Sequence, residues 1–121
     1  MKVKCIPNTS EKLSDKAGYP TDFQSDSLNI GKIYTVYAIG HWDDYMFYLL
    51  KTDQYNPIWF AFEWFGIVGH KIPDSWYFNF IGEHPNGEVS TIYGYKEIVL
   101  NFEHHYELME REKMLWISFI K

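Results

Sequence analysis

The stretch GKIYTVYAI at residues 31–39 decides the fold class. A glycine and a lysine are followed by β-branched and aromatic residues, a pattern typical of a turn that leads into a strand. Residues 45–52 have the same composition and follow a polar connection at residues 41–44, so the two segments predict an antiparallel hairpin. A turn at residues 53–57 and an apolar run at 58–62 predict a third strand in the same sheet.

The segment before residue 31 predicts one more strand and a long connection. Residues 2–6 alternate between polar and apolar types around Val3 and Cys5, which indicates a strand that ends at Pro7. Residues 8–29 are polar and contain breakers, so they predict a surface loop. Loops of this length are uncommon unless they are functional or mobile.

After the third strand the sequence predicts further short elements. Residues 63–68 fit either a short helical turn or a strand with a bulge at Gly66. Segments 76–81 and 89–93 predict a hairpin, because the residues between them include the His-Pro-Asn-Gly turn at 84–87.

The C-terminal part changes to a helical period. Apolar residues recur at helical spacing, at Ile98, Phe102, Tyr106 and Met109. This pattern predicts a helix over 96–113, while residues 115–120 could extend it or form a last strand. The order of elements favours an α+β fold in a single domain, 1–121, with a small curved antiparallel sheet or barrel and a C-terminal helix packed on it.

The chain is acidic and rich in aromatic residues. Its net charge is −5 and its pI about 5.4, and Arg111 is its one arginine. Nucleic-acid-binding domains usually carry a basic face, so we expect neither nucleic acid nor an anionic membrane as partner. Ten Tyr, nine Phe and five Trp exceed what one small core requires. An acidic surface with exposed aromatic anchors suits a basic protein partner.

The single cysteine and the N-terminal sequence bear on location. Cys5 has no partner for an internal disulfide, which fits a reducing compartment. The first residues contain no apolar signal-peptide core, and no run is long enough to span a bilayer. We therefore expect a cytoplasmic protein.

No motif for catalysis or metal binding stands out. His41 with Asp43 and Asp44 could form a loose metal site, but a solvated turn is the simpler interpretation. Cys5 could be a nucleophile, but a lone cysteine in a strand is more often a small buried apolar residue. Glycine-rich phosphate loops and nucleophile elbows are absent from the sequence. We expect no enzyme, no cofactor and no bound metal.

A protein-binding face is the remaining candidate site. Acids stand next to aromatic residues in the predicted turns, and aromatic anchors ringed by charge are typical of protein interfaces. The same rings could instead fill the ends of a barrel. The predicted partner-binding residues are Trp42, Asp43, Asp44, Tyr55, Trp59 and Glu63. This prediction requires the sheet to bring the 41–44 and 58–63 segments to one rim.

Three segments also carry a family resemblance. KVKCI at residues 2–6, LNIGKIYTV at 28–36 and YLLKTD at 48–53 resemble small bacterial proteins with an SH3-like barrel, found in prophage regions and beside polymorphic toxin genes. The acidic, aromatic-rich character is also similar to immunity proteins of contact-dependent inhibition systems. The resemblance covers residues 1–69 best and implies an SH3-like barrel without catalytic residues.

The resemblance implies an immunity-type protein that binds and neutralises a cognate bacterial toxin domain, expected to be a basic, nuclease-like domain. The alternative is an SH3-like protein- or peptide-binding module of phage or regulatory origin, which would need an aromatic groove for an extended segment. An unrecognised enzyme is a third possibility and would need a deep pocket with converging polar groups. The oligomeric state stays open.

Overall fold

The computed structural model describes residues 1–7, 27–42, 45–52, 57–80, 82 and 91–100. Within these ranges the chain forms mostly antiparallel strands and one short helix near the C-terminus. The strands are β1 (Lys2–Cys5), β2 (Ile33–Trp42), β3 (Tyr45–Leu50), β4 (Ile58–Ala61), β5 (Phe65–Gly69), β6 (Tyr77–Phe80) and β7 (Thr91–Gly94). A 3-10 helix spans Phe62–Trp64, and the α-helix α1 spans Lys96–Leu100.

The strands form one open sheet in the order β4-β3-β2-β1-β5, and the β6–β7 hairpin joins it because β7 also pairs with β2. All pairs are antiparallel. The predicted succession of antiparallel strands from β2 to β4 is therefore confirmed, as is the antiparallel pairing of the two later strands, β6 and β7. Among the described residues, β4 and β5 do not pair with each other, which leaves the sheet open there.

The long strand β2 links two parts of the sheet. Its first residues, 33–35, pair with β1, whereas residues 38–41 pair with β7. Both β1 and β7 lie on the side of β2 that is opposite β3. The register with β3 shifts between Val36 and Ala38, so Tyr37 is an extra residue on β2. Such a bulge bends a strand and lets it pass from one packed layer to another.

Two apolar clusters hold the sheet. The larger cluster consists of Val3, Cys5, Leu28, Tyr34, Val36, Tyr45, Phe47, Tyr48, Leu50, Phe60, Ala61 and Trp64. The smaller cluster consists of Ala38, Leu49, Ile92, Ile98 and Val99, so it joins α1 to β2, β3 and β7. In β3, Leu49 belongs to the smaller cluster and lies between Tyr48 and Leu50 of the larger one. Because successive side chains on a strand point to opposite faces, the centre of β3 is buried on both sides.

The predicted turn at Gly31 is confirmed. Gly31 has φ 88°, a left-handed conformation that glycine adopts without steric cost. Its N–H donates to the carbonyl oxygen of Cys5 over 2.7 Å, and the Cys5 N–H donates to Lys32 O over 3.0 Å. The turn is thus fixed to the end of β1 at the point where the chain enters β2.

Gly94 is needed for a different reason, the close approach of β7 to β2. Gly94 pairs with Ala38, and a Cβ placed on Gly94 would lie 2.5 Å from the Ala38 Cβ. It would also lie 2.9 Å from the carbonyl oxygen of Tyr37. Every side chain larger than hydrogen would therefore push β7 away from β2.

Several predicted boundaries are wrong by one or two residues. Strand β2 continues to Trp42, which pairs with Tyr45, so the hairpin connection does not begin at His41. The strand predicted at 45–52 ends at Leu50. The ends of these strands are set by hydrogen bonding to the neighbouring strands, and the local composition alone does not indicate those positions.

The segment after β4 combines both predicted alternatives. A 3-10 helix begins at Phe62, where the sequence predicts the end of the third strand, and β5 follows it directly. The irregularity is not at Gly66, which pairs regularly with Lys4. The register instead shifts between Lys2 and Val3, which makes Val68 the extra residue on β5.

Helix α1 begins at Lys96, which confirms the start of the predicted helix. The Asn79 side-chain amide donates to the carbonyl oxygen of Val99 over 3.2 Å and so fixes α1 to β6. Six ranges with predicted structure lie outside the described residues: 8–26, 43–44, 53–56, 84–87, 101–113 and 115–120. No helix within the described ranges is long and apolar enough to cross a membrane.

Candidate binding surface

The structure brings two of the six predicted contact residues to one end of the sheet. Trp42 closes the β2–β3 ladder opposite Tyr45. The Tyr45 hydroxyl donates to Glu63 Oε1 over 2.7 Å, so the 3-10 helix lies beside this end of the hairpin. Asp43 and Asp44, the residues that connect β2 to β3, lie outside the described residues. Glu63 is therefore hydrogen-bonded to Tyr45, the residue that directly follows these two acids in the sequence.

The position of Glu63 is fixed by packing around its hydrogen-bond donor. Tyr45 is only 4% exposed. Its ring lies 5.0 Å from that of Phe47 and 5.1 Å from that of Phe62, centroid to centroid. A rigid phenol that donates to a carboxylate forms a short, charge-assisted hydrogen bond. Glu63, itself half-buried, thus presents a negative charge in a defined place at the sheet end.

The other two predicted residues are not at this end. Trp59 pairs with Leu49, four residues along β3 from Tyr45, a separation of about 13 Å along the strand. Trp59 is half-buried and packs against both apolar clusters, so its main contacts are with the protein itself. Tyr55 lies outside the described residues, in the connection that follows the opposite end of β3.

Acidic residues are absent from the strands that the structure describes. These seven strands contain two charged residues, Lys2 and Lys4, both in β1. The described acids lie elsewhere: Glu63 in the 3-10 helix, Asp74 between β5 and β6, and Glu97 in α1. Since the whole chain carries −5, its excess of negative charge lies outside these strands.

An aromatic face on the β6–β7 hairpin was not predicted from the sequence. Phe78 pairs with Tyr93, and their ring centroids lie 4.6 Å apart. Phe80 lies two residues beyond Phe78 on the same strand face. Phe78 is 52% exposed, Phe80 68% and Tyr93 42%. We call these three residues the aromatic face.

The aromatic face lies in the same cross-strand row as side chains of the apolar core. Across the sheet, Phe78 pairs with Tyr93, Tyr93 with Ile39, and Ile39 with Tyr48. Tyr48 belongs to the larger apolar cluster and is 3% exposed. One row of side chains thus passes from the core to the surface. The sequence signal was present, because Tyr77–Phe80 carries aromatic residues on both faces of one strand.

The described residues give no support to nucleophilic or metal chemistry. Cys5 is fully buried, and its Sγ donates to the carbonyl oxygen of Pro7 over 3.3 Å. Burial raises the pKa of the Cys5 thiol, which keeps it protonated and unreactive. In the described part of the chain, no group of three His, Cys, Asp or Glu side chains is placed to hold a metal ion. The loose site suggested for His41 extends to Asp43 and Asp44, outside that part.

Comparisons with known proteins give no relative from which a function could be transferred. No family model matches the sequence, and neither a curated protein nor a solved structure matches it. What the protein does is therefore inferred from its own residues.

Proposed function

We propose that this is an immunity-type protein that binds and neutralises a cognate bacterial toxin domain in the cytoplasm. The observation that carries the proposal is that the seven described strands contain no acid, while the chain carries a net charge of −5 and has two adjacent acids, Asp43 and Asp44, between β2 and β3. Acidic connections on a strand framework are suited to meet a basic protein surface. They would raise the rate of encounter by long-range attraction.

The finer fold that accompanies this proposal is an SH3-like barrel formed by β1–β5. Three features support it. Strand β1 pairs with both β2 and β5, so the fifth strand returns to the first. Strand β2 bends at the Tyr37 bulge and takes part in two sections of the sheet. The larger apolar cluster contains residues from β1 to β4 and Trp64, as the core of a small barrel would.

The partner contact is proposed at the end of the β2–β3 hairpin. Trp42 ends β2 there, Asp43 and Asp44 follow it in the sequence, and the Tyr45 hydroxyl at the start of β3 donates to Glu63. This end of the hairpin therefore combines one tryptophan with three acids, the residue types with which a protein surface would bind a basic partner. Trp59 would act indirectly, by stabilising the strands that carry this end.

The test is association kinetics with the toxin domain encoded by the neighbouring gene. Asp43→Lys and Asp44→Lys should each slow association severalfold at low salt, and the loss should shrink as salt rises. Asp74→Lys is the matched control, because it makes the same charge change at an exposed site between β5 and β6. It should slow association much less.

Two results would contradict the proposal. If the neighbouring gene product does not bind the purified protein, the immunity role is wrong. If it binds but all three reversals slow association equally, net charge matters and the hairpin end is not the contact.

A further inference from the structure

The outer edge of β6 has no neighbour among the described strands. Strand β6 pairs with β7 on one side, and no other described strand pairs with it. Edge strands in soluble proteins are usually protected from further pairing by lysines, prolines or inward-pointing charges. The four residues Tyr77–Phe80 include none of these. Within the described part of the chain, this edge therefore carries no feature that would block another strand.

We propose that β6 of a second copy of this chain pairs antiparallel with this edge, so that two sheets join across a twofold axis. In an antiparallel pair, opposed residues point to the same face of the sheet. A twofold axis at Asn79 satisfies this condition and places Phe78 opposite Phe80 of the other copy. The aromatic faces of the two copies then become one continuous surface.

Charge favours a second copy over a charged partner at this edge. The chain as a whole carries −5 and repels itself, but the four residues of β6 are uncharged. The two strands can therefore approach without direct repulsion between opposed side chains. A basic toxin domain, in contrast, would find no carboxylate on β6 with which to pair.

The exposed aromatic area indicates a reversible dimer. Four rings on the β6–β7 hairpin are partly exposed: Tyr77 44%, Phe78 52%, Phe80 68% and Tyr93 42%. At about 200 Å² per aromatic side chain, their exposed area is about 400 Å² per copy, so they contribute less than about 800 Å² to the pair, because edge pairing covers only the parts that face the other copy. Backbone and neighbouring side chains add to this, while stable interfaces bury about 1,200–2,000 Å² in total. The dimer should therefore form at high concentration and dissociate on dilution.

The first experiment measures mass against concentration for the full chain, by sedimentation velocity. The unmodified protein should shift from monomer to dimer as concentration rises. Phe80→Glu should weaken the dimer about 10-fold or more, because it places a charge in the joined aromatic surface. Ile30→Glu is the matched control, since Ile30 is 65% exposed and lies in the turn before β2. It should dimerise like the unmodified protein.

The second experiment tests the register with two variants, Phe78→Lys and Phe80→Glu. Each alone should be mostly monomeric, because its homodimer would place charges against phenylalanine rings. Mixed together they should associate more tightly than either alone, since the proposed register opposes the new lysine and the new glutamate. Thermal unfolding of each variant checks that both are folded before they are mixed.

Three outcomes would overturn the proposal. The unmodified protein could remain monomeric at every concentration, or Phe80→Glu could dimerise as well as Ile30→Glu. The mixture could also associate no better than its components, which would exclude the Asn79-centred register. If Phe80→Glu weakens toxin binding while the unmodified protein never dimerises, the edge receives a partner's strand instead. None of these outcomes depends on the charge reversals that test the proposed function.

Discussion

Replacing Gly94 with alanine should separate the β6–β7 hairpin from the rest of the sheet. The added Cβ would lie 2.5 Å from the Ala38 Cβ, 2.9 Å from Tyr37 O and 3.0 Å from the Ala38 Cα. Carbon atoms in contact normally stay about 3.5–4.0 Å apart, so β7 must retreat by about 1 Å. Two of these three neighbours are main-chain atoms of β2, which cannot move aside as a flexible side chain would.

The expected cost follows from two opposing terms. Overpacking a closely packed site costs about 1–3 kcal/mol, and a clash with main chain belongs in the upper part of this range. Alanine loses less backbone freedom than glycine on folding, which offsets about 0.5–1 kcal/mol. The free energy of unfolding should therefore fall by about 2 kcal/mol, which for a domain of this size lowers Tm by roughly 6–10 °C.

The assay is chemical denaturation of four variants beside the unmodified protein: Gly94→Ala, Gly66→Ala, Ala38→Gly and the double variant Ala38→Gly with Gly94→Ala. Gly66→Ala is the matched control, because its Cβ would meet only Ile6 side-chain atoms at 3.9 Å, an ordinary contact. It should be neutral or slightly stabilising. Ala38→Gly combined with Gly94→Ala removes the nearest clash, so the double variant should be about 1 kcal/mol more stable than the two single losses together imply. Equal stability of Gly94→Ala and Gly66→Ala would refute the reasoning.

Two further predictions concern hydroxyl groups. Tyr45→Phe should lower the free energy of unfolding, measured by urea denaturation, by about 1 kcal/mol, because it removes the 2.7 Å hydrogen bond to Glu63. Glu63→Gln should lower it less, since an acceptor remains. If Tyr45→Phe is as stable as the unmodified protein, the hydrogen bond does not hold the 3-10 helix in place. Burial, and then the Glu97 carboxylate, raise the pKa of the Tyr95 phenol above the ordinary value of 10.0. As pH rises, the Tyr95 phenol therefore loses its proton at a lower pH in the unfolded chain than in the folded protein. The free energy of unfolding should be unaffected well below pH 10 and fall above it, and this fall should be less steep in Tyr95→Phe.

The parts of the fold that could be predicted from the sequence are local. The Gly31 turn and the alternation of apolar runs and polar connections fix β2, β3 and β4, because each strand pairs with its neighbour along the chain. The pairing of β1 with β5 has no such signal, since it joins residues 2–5 to residues 65–69. Its register depends on the whole core.

The candidate site was predictable only in part. The acids beside Trp42 follow from the hairpin composition, but the place of Glu63 depends on the 3-10 helix that turns the chain back towards Tyr45. The predicted continuation of β4 through Phe62 would have sent Glu63 elsewhere. Likewise, the sequence of β6 does not reveal that β7 is its one partner among the described strands or that Phe80 is exposed, since both are properties of the assembled sheet.

The double pairing of β1 has a consequence for how the protein is made. β1 precedes both of its partners along the chain, and one of them, β5, ends at Gly69. The hairpins from β2 to β4 join near neighbours and can form as soon as they emerge from the ribosome, because short loops close at little entropic cost. β1 can complete its pairing only after β5 has been synthesised. It therefore reaches its final place later than strands that follow it in the sequence.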